Sequence, residues 1–247
     1  MSYRCVIFDL FDTLADFSRD RLPLIYINGE AIHSTTAVVY PLFAERYSQV
    51  SLKTFYTAFR ESFDEVARLR EQEEREISAY ERFHLFFKKL EISVTPSVEP
   101  FLTALLEKHM ACLAEVIHTP PEHRKLLEWL RPKYQLGLIS NFDHGPTART
   151  ILDRAGINSF FDLILISEEV GYRKPHPAIF EAACQALRVA PADAIFIGDN
   201  PVIDIAGAKG VGMAAIWVNR TGERLNESIP RPEYTVKCLE EVKEILG

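Results

Sequence analysis

The side chains best suited to chemistry in this sequence are three aspartates, a serine and a lysine. They are Asp9 in CVIFDLFDTLAD, Ser140 in LGLISNFD, Lys174 in YRKPHP, and Asp199 with Asp204 in AIFIGDNPVID. A carboxylate can attack phosphorus or carbon and form a covalent intermediate. Two further carboxylates would make an all-oxygen site suited to Mg²⁺, and a lysine would neutralise negative charge on a substrate. The set therefore predicts nucleophilic attack on an anionic, metal-bound substrate.

Short apolar runs precede three of these groups and predict the strands that position them. RCVIF ends just before Asp9, QLGLIS ends at Ser140, and AIFIG ends just before Asp199. In an open α/β sheet, residues just past the carboxyl ends of parallel strands converge on one crevice. We therefore expect these side chains to meet at one edge of a parallel sheet.

Strands and helices alternate along the second half of the chain. Alternation of this kind predicts a parallel sheet with helices on both faces, which is an α/β architecture. Gly156 follows one predicted helix at the position where a left-handed cap favours glycine. The predicted strands are 4–8, 135–140, 162–166, 194–198 and 213–218, and the predicted helices are 121–132, 146–155, 177–188, 202–209 and 237–246.

A long helical segment interrupts this alternation after the first strand. Apolar residues recur at three- and four-residue spacing over about 37–117, and Ser78 opens a stretch with capping-box spacing, so we expect a helix to begin there. Asn28-Gly29 between apolar runs predicts a β-hairpin near 23–34. We therefore predict an inserted, mainly helical cap domain. The predicted core is 1–17 with 120–247, and the predicted cap is 18–119.

Composition indicates a globular protein without an affinity for polyanions. The 247 residues are 47% hydrophobic and 26% charged, with a formal net charge of −7. There is thus no basic surface charge for nucleic acid or anionic lipid. No apolar run approaches the ~18 residues of a membrane span, and no secretory signal is visible. The scattered cysteines favour small buried side chains in a reducing cytoplasm over disulfides.

The motifs DLFDTL, ISNFD, KPHP and GDNPVID, in that order, resemble the four motifs of the haloacid dehalogenase-like hydrolase superfamily. The helical insert between the first and second motifs is similar to that superfamily's C1-type cap. The resemblance implies a Rossmann-like core, Mg²⁺ as cofactor and a small phosphorylated substrate. It also implies a role for each matched residue. Asp9 would be the nucleophile, and Ser140 with Asn141 would bind phosphate. Lys174 would orient the substrate and neutralise its charge. Mg²⁺ would be bound by Asp9, the carbonyl of Phe11 and Asp199, and by Asp204 either directly or through a water molecule.

Phe11 departs from the pattern of the superfamily's phosphatases. Phosphatases of the superfamily that this chain resembles generally carry a second aspartate two residues after the nucleophile, where it acts as general acid and base. A benzyl group cannot protonate a leaving alkoxide, and such help is typically worth ~10²–10⁴ in rate. Asp12 is one residue further on, and a strand-like segment would point it the other way.

Three interpretations follow from the sequence. The metal-site residues favour Mg²⁺-dependent hydrolysis of a small phosphomonoester through an aspartyl phosphate on Asp9. Phe11 resembles the aromatic residue of the haloacid dehalogenases proper and leaves open a metal-independent C–X hydrolase of that type. The third possibility is a non-catalytic binder of phosphoryl ligands. Gly198-Asp199 argues against the dehalogenase, because the dehalogenases that this chain resembles typically have other residues in place of that pair.

Overall fold

The computed structural model describes residues 3–73 and 75–247. Met1 and Ser2 of the predicted core and Glu74 of the predicted cap lie outside the described residues. The chain divides into two units, one formed by residues up to Phe17 with His118–Gly247 and the other by Ser18–Ile117. These bounds lie within two residues of the predicted ones. That the second unit acts as a cap stays a prediction.

The strands and helices follow one another in mixed order. The strands are β1 (Cys5–Phe8), β2 (Asp16–Phe17), β3 (Leu24–Ile27), β4 (Glu30–His33), β5 (Ile117–His118), β6 (Gln135–Ser140), β7 (Leu163–Ile166), β8 (Ala194–Gly198), β9 (Ala214–Val218) and β10 (Tyr234–Val236). The α-helices are α1 (Thr36–Arg46), α2 (Leu52–Glu73), α3 (Ala79–Lys89), α4 (Glu99–Glu115), α5 (Pro121–Leu130), α6 (Gly145–Arg154), α7 (Ser167–Val170), α8 (Pro177–Leu187), α9 (Ala206–Gly210) and α10 (Val242–Leu246).

The first unit is built on a six-stranded sheet in the order β10-β9-β8-β1-β6-β7. Every neighbouring pair in it is parallel. Phe8 at the end of β1 is in register with Leu138 of β6 and Ile197 of β8. The carboxyl ends of the three central strands therefore lie at one edge, and the predicted α/β class is confirmed.

Helix α8 packs its apolar side chains against the sheet and buries it. Its apolar residues recur at helical spacing, and Phe180 packs edge-on against Phe196 of β8 with ring centroids 5.3 Å apart. Cys5 and Cys184 belong to the same buried cluster as this pair, whereas Cys238 is exposed. Burying a side chain as large as phenylalanine stabilises the fold by roughly 1.5–3 kcal/mol.

Aromatic rings fill the interior of the helical unit. Phe43 of α1, Phe55 of α2 and Phe86 of α3 are fully buried, and the Phe43–Phe55 and Phe55–Phe86 centroids are each 4.9 Å apart. The predicted helix start is confirmed, because Ser78 and Glu81 form a reciprocal capping box at α3. The predicted hairpin is also confirmed. Asn28 and Gly29 connect β3 to β4 with φ of 52° and 85°, the left-handed region that this turn requires.

The C-terminal segment differs from the prediction. The helix expected over 237–246 is confined to α10, and β10 precedes it as a sixth parallel strand. Three residues are too few for a period to show in the sequence, so only pairing with β9 defines this strand. The helix expected over 202–209 begins as a π-helical turn, Pro201–Ile205, before α9. Among the described residues no helix is long and apolar enough to cross a membrane.

Candidate active site

The carboxyl edge of the sheet brings together the acidic residues that the sequence singles out. Asp9 extends β1 by one residue, because its N–H donates to the Ile197 carbonyl at 2.9 Å. Asp199 follows β8 directly, and Asp204 lies in the π-helical turn after it. One carboxylate oxygen from each aspartate lies within 4.8 Å of the other two.

Lys174 lies against two of these carboxylates. Its Nζ is 2.5 Å from Asp9 Oδ1 and 2.8 Å from Asp204 Oδ1, and its side chain is 1% exposed. The Phe196 ring lies beneath the ammonium, with its centroid 5.0 Å away. A lysine can be buried this deeply only because opposite charges surround it.

Asn141 fixes the loop that carries Lys174. The Asn141 side-chain amide donates to the Lys174 carbonyl at 2.8 Å, and the Lys174 N–H donates to Asn141 Oδ1 at 2.8 Å. This reciprocal pair joins the residue after β6 to a loop far along the chain, so Asn141 positions the lysine. The substrate-binding role predicted for Asn141 stays a prediction.

Asp204 depends on a tight turn and on a glycine. Asn200 begins the turn by accepting from the N–H groups of Val202 and Ile203, and its own N–H donates to Asp204 Oδ2 at 3.0 Å. Gly198 lets the side chain approach the strand, because a Cβ at that position would lie 2.4 Å from Asp204 Oδ2.

Asp199 has partners that the sequence did not reveal. Thr13 Oγ1 donates to Asp199 Oδ1 at 3.4 Å, and Trp217 Nε1 donates to the Asp199 carbonyl at 2.8 Å. Arg220, after β9, donates to the Thr13 carbonyl at 3.1 Å and to Asp16 at 2.6 Å. No local pattern in the sequence marks Trp217 or Arg220.

Ser140 ends β6, the strand next to β1 in the sheet, and is fully buried. Its Oγ has no hydrogen-bond partner among residues 3–73 and 75–247. A buried hydroxyl without a partner costs about 1–3 kcal/mol, which a ligand oxygen would recover. The loop after it is held by Ser167 of α7, whose Oγ accepts from the Phe142 N–H at 3.0 Å.

Phe11 belongs to a group of aromatic rings. Its centroid lies 4.9 Å from that of Phe142 and 6.4 Å from that of Phe17. Asp12, with φ of 60°, instead lines a cavity of about 380 Å³ together with Asp199 and residues of the β9 end. The expectation that Asp12 and Phe11 diverge agrees with this placement.

The burial of the acids governs their protonation. Burial raises the pKa of Asp9 to about 7, with a further increase from the charge of Asp204 and an opposing decrease from Lys174. Burial and the charges of Asp204 and Asp12 raise the pKa of Asp199 to about 6. Burial by itself would lower the pKa of Lys174, but Asp204 and Asp9 outweigh it, so that pKa is raised. The lysine is therefore a fixed positive charge.

The donor set fits a divalent cation. Three clustered carboxylates against one ammonium leave two negative charges uncompensated when all are ionised. Hard ions such as Mg²⁺ prefer carboxylate and carbonyl oxygens, which are the groups present at this edge. Burial is the main cause of the raised pKa values of Asp9 and Asp199, and the neighbouring carboxylates raise both values further.

Comparisons with known proteins agree with this architecture. A family model described as a haloacid dehalogenase-like hydrolase matches residues 3–212. N-acylneuraminate-9-phosphatase of Mus musculus is 34% identical over 124 residues, 50% of each chain, so the match spans half of that relative's length. (S)-2-haloacid dehalogenase 2 of Pseudomonas sp. strain CBS-3 is 26% identical over 99% of this chain and 96% of its own. The 2-haloacid dehalogenase structure from Pseudomonas syringae pv. Tomato DC3000 superimposes with a TM-score of 0.75 at 23% identity, covering 99% of this chain and 98% of that one.

The chain belongs to the haloacid dehalogenase-like hydrolase family, and it is a hydrolase. The family match spans most of the chain and includes all four motifs. The resemblance that the motifs carried is thus confirmed. Relatives named as phosphatases and as 2-haloacid dehalogenases both occur, so family membership leaves the reaction to be decided by the site.

Gly198→Ala should destabilise the protein and disturb the acidic cluster. The new Cβ would overlap the Asp204 side chain, and overpacking of this kind typically costs about 1–3 kcal/mol. Urea denaturation measures the free energy of unfolding. Gly210→Ala is the matched control, because its Cβ would meet nothing within 4 Å and should be neutral or slightly stabilising. Equal stability of the two variants would contradict the close approach.

Asp199→Asn should stabilise the metal-free protein at neutral pH. Folded Asp199 keeps its proton up to about pH 6, whereas the unfolded chain releases it near the ordinary value of 3.8. The folded state therefore binds more protons over pH 4–6, and stability falls as the pH rises through that window. In EDTA, the melting temperature of the variant should exceed that of wild type by a few degrees at pH 8 and by little at pH 4. Asp64→Asn removes an exposed acid in the helical unit as control. If the difference in melting temperature between Asp199→Asn and wild type did not grow with pH, the raised pKa of folded Asp199 would be refuted.

Proposed function

We propose that the protein is a Mg²⁺-dependent phosphomonoester hydrolase that acts on a small phosphorylated metabolite through an aspartyl phosphate on Asp9. The observation that carries the proposal is the pairing of Lys174 with Asp9 and Asp204 inside a cluster of three carboxylates. An excess of buried negative charge has a direct use if a divalent cation binds there. The same excess of negative charge has no direct use in a site that works without metal.

The side chains of Asp9, Asp199 and Asp204 and the Phe11 carbonyl would hold the ion. Bound Mg²⁺ would neutralise charge on a phosphoryl group. Without a cation, a carboxylate and a phosphoryl oxygen at 4 Å repel by roughly 4 kcal/mol at an effective dielectric near 20. Lys174 reduces the same repulsion, since its ammonium lies 2.5 Å from Asp9 Oδ1 and orients that carboxylate.

Asp9 and Ser140 would act on the phosphoryl group itself. Asp9 emerges from the central strand with its carboxylate largely buried, so few water molecules solvate it. The buried Ser140 hydroxyl, which has no partner among the residues that the structure describes, would donate to a phosphoryl oxygen. Phosphatase relatives support this interpretation, because N-acylneuraminate-9-phosphatase is named for a small phosphorylated substrate.

Two features favour a second candidate, hydrolysis of a carbon–halogen bond. Phe11 occupies the position where an acid would assist an alkoxide, and halide needs no proton. A 2-haloacid dehalogenase also matches over nearly the whole chain. Asp9 would attack carbon in that reaction, and no cation would be required. The cluster of Asp199 and Asp204 beside Asp9 is the argument against it.

Activity should depend on both Mg²⁺ and Asp9. We expect wild-type protein to release inorganic phosphate from members of a panel of small phosphoesters in Mg²⁺, and to lose that release in EDTA. Asp9→Asn should reduce it to background, because the amide cannot form the aspartyl phosphate. Thermal unfolding of the variant checks that it is folded. Phosphate release that survives Asp9→Asn would refute the proposed nucleophile.

Halide release discriminates the two reactions. Chloride release from 2-chloropropionate should stay at background for wild type in EDTA and in Mg²⁺ if the phosphatase proposal is right. Chloride release unaffected by EDTA and abolished by Asp9→Asn would establish the dehalogenase instead. Absence of both activities, together with thermal stabilisation by phosphate or vanadate, would indicate a phosphoryl-ligand binder.

A further inference from the structure

The position two residues after the nucleophile is filled by a packed aromatic side chain. Phe11 lies against Phe142 with the rings tilted by 43°, and Phe17 is its second ring neighbour. Both neighbours belong to the core unit, one in the loop after β6 and the other in β2. The ring is therefore held in place by contacts of the core, and it has no proton to give.

Asp12 and His176, which are near Phe11 and Lys174 in sequence, each accept a hydrogen bond from a backbone N–H. Asp12 Oδ1 accepts from the Phe17 N–H at 3.3 Å, and the residue lines the cavity on the Asp199 side. His176 Nδ1 accepts from the Ala178 N–H at the start of α8, and its ring stacks on Tyr172 with centroids 4.5 Å apart. The Lys174 ammonium is held between two carboxylates, with Nζ 2.5 Å from Asp9 Oδ1 and 2.8 Å from Asp204 Oδ1.

We infer that the substrates of the proposed phosphatase are phosphoryl compounds whose leaving group departs as a stable anion, of which acyl phosphates are the simplest class. The inference rests on the proposed function and narrows it. It follows from the apolar packing of Phe11, two residues after Asp9, since a leaving group that needs no proton does not need an acid at that position.

Both bond-breaking steps balance without a general acid. An Asp9 carboxylate oxygen attacks phosphorus, and the bond from phosphorus to the leaving oxygen breaks with its electron pair on that oxygen. The product is a carboxylate, which leaves unprotonated. Water then attacks phosphorus, the Asp9 carboxylate is the second leaving group, and the protons of water pass to phosphate and solvent. The aspartyl phosphate is itself an acyl phosphate, so the second step also expels a stable anion.

A series of substrates with graded leaving groups tests the inference. We would measure kcat/KM in Mg²⁺ for acetyl phosphate, for aryl phosphates with phenols of increasing basicity, and for glycerol 3-phosphate. The expected result is a steep decrease as the leaving group becomes more basic, with the alkyl ester at least ~10²-fold below acetyl phosphate. Similar values along the whole series would overturn the inference.

Phe11→Asp and Phe11→Asn distinguish the effect of a missing general acid from the intrinsic reactivity of the substrates. Both variants remove the ring packing equally, but only the aspartate can donate a proton. Phe11→Asp should raise kcat/KM for glycerol 3-phosphate by about 10² relative to Phe11→Asn and flatten the series. If the two folded variants gave the same kcat/KM values along the substrate series, the inference would be overturned. If either variant fails to fold, the wild-type series decides alone.

The outcomes also distinguish this inference from the proposed function. Turnover that requires Mg²⁺ and Asp9 but does not vary with the leaving group leaves the phosphatase intact and refutes only the substrate class. Turnover of no phosphoryl compound, or turnover that persists in Asp9→Asn, refutes the phosphatase and the substrate class together.

Discussion

The clustering of three carboxylates, those of buried Asp9 and Asp204 and half-buried Asp199, beside one ammonium group determines the rest of the site. Lys174 contacts Asp9 and Asp204 directly, whereas Asp199 completes the cluster without contacting it. One positive charge cannot compensate three negative ones in a region where burial weakens screening by water. Burial and the charge of Asp204 raise the pKa of Asp9 to about 7, although Lys174 lowers it. In the proposed mechanism, a bound divalent cation would lower that pKa and keep Asp9 ionised when the anionic substrate is present.

Much of the surrounding core exists to keep these groups close together. The reciprocal amide pair between Asn141 and Lys174 joins two loops that are distant in sequence. Gly198 provides the space that Asp204 occupies, and Thr13 contacts Asp199 from the turn after β1. Each device acts over a few ångströms and involves a backbone group or a small side chain. A cluster with so much uncompensated charge would otherwise separate by repulsion.

Phe11 gives this scaffold its particular chemistry. A packed phenylalanine two residues after the proposed nucleophile removes proton donation from that position, whereas the carboxylates and the ammonium group stay in place. Substrate choice would then be set by how well the leaving group carries negative charge. The same feature relates the chain to dehalogenases, whose leaving group is a halide, while the acidic cluster relates it to phosphatases. One residue can thus change which reactions a given fold supports.

The sequence by itself determined the α/β class, the helical insert and the strand ends that carry Asp9, Ser140 and Asp199, because apolar runs and their spacing are local signals. It also marked Phe11 as a departure, since residue type alone excludes proton transfer. Only the tertiary structure decided that Asn141 holds Lys174, that Gly198 admits Asp204, and that Arg220 contacts Thr13. These are contacts between residues far apart in the chain. Strand β10 was missed for the same reason, because its pairing with β9 lies outside any local window.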